Sequence, residues 1–65
     1  MREILELQQE IMETIERQRM KVSRLLAERG LDDEEFIREN LILDRIIERY
    51  IELETLKEEL LYQGD

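Results

Sequence analysis

The chain predicts an all-α fold, an antiparallel two-helix hairpin, on three observations. Apolar residues recur at three-, four- and seven-residue steps through both halves, which is the period of an amphipathic helix. There is no proline, and the 2 glycines, Gly30 and Gly64, fall near the middle and at the end of 65 residues. Strict alternation of apolar and polar residues, the mark of a half-buried strand, is absent.

The first helix is expected over about 2–29. Ile4, Ile11, Ile15, Val22 and Leu25 or Leu26 keep the helical period, with Leu5 and Met12 beside them. Gly30 suits a helix end at positive φ, Leu31 can make the apolar contact that often accompanies it, and Arg29 favours the negative end of the helix dipole. The turn is read as 30–32. Asp32 then caps a second helix over about 33–62, with Glu35 three residues on as in a capping box. Phe36, Leu43, Ile47, Tyr50 and Leu53 carry the apolar stripe, continuing to Leu60 and Leu61. Two helices of roughly 27 and 30 residues, each ~40–45 Å long at about 1.5 Å per residue, joined by so short a turn, must fold back on each other. Residues whose numbers sum to roughly 62 or 63 then share a level. Arg19 and Asp44 fall at one height.

The whole is one small domain, and a core of this size seldom supplies more than ~3–5 kcal/mol. Disulfides and a zinc site are the usual supplements, but the chain has no Cys and no His. Self-association or long, regular helix packing remains, and a homodimer, with a four-helix bundle as its form, is the expectation. A formal charge of -8 opposes binding to nucleic acid or an anionic membrane. The charge is unevenly placed: Arg17, Arg19, Lys21, Arg24 and Arg29 stand against Glu28, and Asp32, Asp33, Glu34, Glu35, Glu39 and Asp44 follow. No apolar run approaches the ~20 residues of a membrane span, and the start, MREILELQQE, lacks the apolar centre of a signal peptide. A cytoplasmic location is the expectation.

Most catalytic signatures are missing. Without His or Cys there is no imidazole base and no thiolate; Ser23 is the only serine, and there is no Gly-rich phosphate loop. Carboxylate pairs such as Glu48 and Glu52, or Glu54 and Glu58, read as a solvated helix face, and no metal site of the chain's own is expected. One constellation is more particular. Asn40 and Asp44 are four residues apart on one helix face, and Arg19 approaches them from the other helix. An amide that orients water, a carboxylate that accepts a proton and a cation for phosphate oxygens suit phosphoryl chemistry.

The stretch IERQRMKVSRLLAERGLDDEEFIRENLILDRIIERY, residues 15–50, resembles the small aspartyl-phosphate phosphatases that restrain sporulation, the sporulation stage zero E-like family. The match runs without gaps from Ile15 through Arg19, Gly30, Leu43, Asp44 and Ile47 to Tyr50. Of the family's Ser-Gln-Glu-Leu-Asp motif, Leu43 and Asp44 keep the ending, while Asn40, Leu41 and Ile42 occupy the first three places. The resemblance implies a negative regulator of sporulation that removes phosphate from the phospho-aspartate of a response-regulator receiver domain. That partner would bring Mg2+, the hairpin having no cofactor of its own. By position, Asp44 is the implied catalytic residue, with Arg19 in support and Asn40 retaining a polar group where the family has a hydroxyl. The expected partner-binding surface is Leu41, Ile42, Leu43, Ile47 and Tyr50.

A second expectation comes from the residues themselves. Leu41 and Ile42 lie about 100° apart on the helix, and with Leu43, Ile46 and Ile47 they widen the apolar surface beyond what one partner helix covers. Such a surface marks protein contact. The alternative function is therefore a non-catalytic hairpin that dimerises or binds a partner helix.

Overall fold

Gly30 ends the first helix as its backbone freedom allows. Its φ is 91°, a conformation that a side chain disfavours, and its amide donates to the Leu26 carbonyl at 3.0 Å, closing the helix end. In the computed structural model, which describes residues 2–63, α1 covers Arg2–Arg29 and α2 covers Glu34–Gln63. The all-α hairpin is thus observed, and no strand occurs among the described residues.

The connection corrects two expectations. Asp33, not Asp32, caps α2: the Phe36 amide donates to Asp33 Oδ2 at 3.0 Å, and the Ile37 amide donates to the Asp33 carbonyl at 3.0 Å. The Asp33 amide in turn lies 3.4 Å from the Gly30 carbonyl, so residues 30–33 form a four-residue turn and α2 starts one residue later than the sequence indicated. Leu31 sits at the tip of that turn and is 69% exposed. It makes no helix-end cover. Arg29 instead ties the two helices at this end, its Nη1 lying 2.7 Å from Glu35 Oε2 and 4.0 Å from Asp33 Oδ1.

Beyond the turn the two helices lie side by side as a plate 51 × 16 × 11 Å. Its seam buries Ile15, Val22 and Leu25 from α1 against Phe36 and Leu43 from α2, with Ile11, Ile46, Ile47 and Tyr50 half-buried around them. Among the described residues no large side chain is completely enclosed, as expected where a core is only two helices wide. Of the five buried apolar residues, Val22, Leu25, Phe36 and Leu43 lie in the half of the hairpin nearer the loop, and Ile15 stands at the middle of α1. In the far half the buried position of the seam is polar, Gln8 being only 6% exposed, among half-buried Ile4, Ile11 and Leu53.

Candidate functional site

The plate has two broad faces, and they differ chemically. On the first, Lys21 Nζ meets Glu39 Oε1 at 2.7 Å, while Gln18 Nε2 donates to Glu39 Oε2 at 2.9 Å and to the Glu39 carbonyl at 2.8 Å. Lys21 and then Gln18 hold the Glu39 carboxyl below its ordinary range by hydrogen bonding to the charged form. Farther from the loop the same face opens into a groove of about 470 Å³ lined by Ile11, Thr14, Ile42, Arg45, Ile46 and Arg49.

A second polar link lies in the far half of the seam. Gln8 Nε2 donates to Glu54 Oε1 at 3.0 Å, and Lys57 Nζ donates to the same oxygen at 2.9 Å. Lys57, then Gln8, lowers the Glu54 pKa, and Glu54 raises that of Lys57. These links satisfy the buried amide; among the described residues no buried side-chain nitrogen or oxygen is left without a partner. They also locate the register. Gln8 with Glu54 and Arg29 with Asp33 keep the level expected for a hairpin centred near Leu31, whereas Gln18 and Lys21 reach Glu39, nearer the loop.

Arg19 and Asp44 occupy the second broad face. Arg19 follows Ile15 by one turn on the side of α1 away from Lys21, and Asp44 follows Leu43 on the side of α2 away from Glu39. Both are exposed, and Asn40, one turn before Asp44, is half-buried at the edge of the seam. No ion pair joins Arg19 to Asp44 among the described residues. Both charges are exposed, and helical periodicity with the antiparallel numbering puts them on one face at about one level.

The other implied contact residues divide. Leu43 is buried, and Ile47 and Tyr50 pack half-buried on the hairpin's own core. Leu41 and Ile42 are exposed, Leu41 toward the outer edge of the second face and Ile42 on the groove side. Sequence reasoning overlooked two sets of residues. One is the pair of polar links at Glu39 and Glu54, whose only signal is Gln8 and Gln18 standing at apolar positions of the heptad. The other is the apolar frame of Asp44: Ile37 and Ile51, seven residues to either side, are both exposed.

Comparison with protein-family models, curated proteins and solved structures found no match to this chain. Function must be argued from the site alone. Among the described residues no three carboxylates converge as ligands for a metal ion, and no helix is long and apolar enough to cross a membrane.

Proposed function

We propose that the hairpin docks its Arg19 and Asp44 face on the phosphorylated receiver domain of a response regulator and promotes loss of the phosphoryl group, so restraining sporulation. The observation that carries this reading is the setting of Asp44: an exposed carboxylate with no ion pair to Arg19, framed by exposed Ile37 and Ile51, with Asn40 one turn away. An acid at the centre of an apolar frame suits delivery of a carboxylate into a partner's site. Such an acid acts only in company. The receiver supplies the phosphoryl-aspartate and Mg2+, which neutralises charge on the phosphoryl oxygens. Asp44 orients the attacking water and takes its proton, Asn40 steadies that water, and Arg19 faces the phosphoryl oxygens. Water attacks phosphorus in line, the bond to the receiver's aspartate oxygen breaks, and inorganic phosphate leaves. The reaction belongs to the cytoplasm, where such receivers work.

The test mixes the protein with phosphorylated response regulators of its own organism and follows phosphate release. Acceleration with one of them is expected, largely lost in Asp44→Ala and kept in Glu52→Ala, which alters an exposed residue outside the face. No acceleration with any regulator overturns the reading.

A second reading has its own support. Leu41 and Ile42, exposed aliphatic residues where the resembled motif is polar, favour a non-catalytic hairpin that binds another protein through its apolar surface. Binding without phosphate release would select it.

A further inference from the structure

Leu5, Met12, Arg19 and Leu26 follow one another at seven-residue steps along α1, and Ile37, Asp44, Ile51 and Glu58 do so along α2. Seven residues are close to two helical turns, so each set forms a single row. The rows lie on the same broad face, and because the helices are antiparallel they make rungs: Leu26 beside Ile37, Arg19 beside Asp44, Met12 beside Ile51, and Leu5 beside Glu58 at the far end. The five apolar members are 40 to 57% exposed. The face is thus an apolar ladder with one oppositely charged rung.

We propose that this face is the docking site of a second copy of the chain, related by a two-fold axis parallel to the long axis of the hairpin, with both loops at the same end of a four-helix bundle. This names a partner for the reading of the hairpin as a protein-binding module and rests on that reading, on the face away from Ile42; a second copy and a receiver domain compete there for Arg19 and Asp44. Under that axis α1 of one copy lies over α2 of the other. Arg19 meets the partner's Asp44, Asp44 meets the partner's Arg19, Leu26 packs on the partner's Ile37 and Met12 on the partner's Ile51. The three rungs nearer the loop each find their complement, as a self-matching interface requires, while the outermost level, Leu5 beside Glu58, lies at the rim.

Charge complementarity selects this arrangement. An axis across the hairpin sets α1 on α1: at the level of Arg19 it brings like charges together, and at mid-helix it leaves Arg19 and Asp44 facing apolar residues without a counter-charge. The opposite face lacks the match: its α1 row reads Leu7, Thr14 and Lys21, with Lys21 already bound to Glu39, and its α2 row reads Ile42, Arg49 and Leu56. The dimensions agree as well. A face of 51 × 16 Å is comparable with the ~800 Å² per partner of a standard interface. The heptad spacing is that of helices meeting along a seam.

Sedimentation equilibrium over a micromolar range tests the proposal, with circular dichroism to confirm that each variant remains helical. The expected results are a wild-type dimer and a dissociation constant raised at least ~10-fold in Arg19→Asp and in Asp44→Arg. The double variant R19D/D44R should regain dimerisation, because reversing both members restores each rung. A spin label on Leu31→Cys, the sole thiol in the chain, reports orientation: the two labels should be about one bundle width apart. A helical wild-type monomer throughout, a dimer indifferent to the single reversals, a double variant as weak as the singles, or labels a helix length apart would each overturn it. Phosphate release measured separately keeps failure of this dimer distinct from failure of the receiver reading.

Discussion

Gln8 donates its side-chain amide across the seam to Glu54, Nε2 to Oε1 at 3.0 Å, and the accepting oxygen is also held by Lys57 at 2.9 Å. A leucine at Gln8 would extend the apolar stripe, but it would match many partners along α2. A buried amide matches only a polar group at its own level, since leaving it unpaired is costly. The far half of the hairpin thus gives up apolar burial for a defined register.

The same link makes stability depend on pH in a calculable direction. The Glu39 and Glu54 pKa values are lowered in the fold, so their contribution is complete above the unfolded carboxylate pKa and disappears as pH falls through the lowered values. The Lys57 pKa is raised, so its contribution is complete below the unfolded lysine pKa and disappears as pH rises through the raised value. Thermal melts followed by circular dichroism should show a plateau between these limits. Glu54→Gln should flatten the change at both ends, and Glu39→Gln only the acid one. Acid limbs identical to wild type in both variants would remove these carboxylates from the account.

The turn offers a test of which aspartate acts. Asp33→Ala should cost ~1 kcal/mol through loss of the cap, whereas Asp32→Ala, at an exposed residue, should stay within ~0.5 kcal/mol. Urea unfolding monitored by ellipticity distinguishes them. Equal losses would return the cap to Asp32.

Gly30→Ala isolates backbone strain. Nothing lies within 4 Å of where the added Cβ would sit, so the cost, ~1–2 kcal/mol, comes from φ alone. A variant as stable as wild type would show that the helix end adjusts freely.

Neighbouring leucines should behave oppositely. Leu43 is buried and Leu41 exposed; Leu43→Ala should cost ~2–4 kcal/mol and Leu41→Ala less than ~0.5 kcal/mol. Against a small domain's ~3–5 kcal/mol, the first change should leave much of the chain unfolded at room temperature. Comparable melts for the two would contradict the orientation of α2.

The hairpin itself was legible because one glycine and two amphipathic runs admit few alternatives. The exact turn was not, since Asp32 and Asp33 are equally good caps by residue type and only the path of residues 30–33 chooses between them. At the site, the level shared by Arg19 and Asp44 followed from antiparallel geometry. Whether they would pair did not, because that depends on how far each row is rotated from the seam. The rotation shows in Lys21 and Gln18, which take Glu39 on the opposite face and leave the Arg19 side of α1 facing outward.

Placement of the buried apolar residues between mid-helix and the loop, with none beyond Ile15 and Leu43, has a kinetic meaning. Each links positions that are close along the chain relative to those at the termini, so closing them costs the least loop entropy. The hairpin should therefore zip from Gly30 outward, and opening should begin at its far end. Amide hydrogens near Val22 and Leu43 should exchange last, and those before Gln8 and beyond Lys57 first. The molecule is a clasp fixed at one end, with Gln8, Glu54 and Lys57 as the last catch to close.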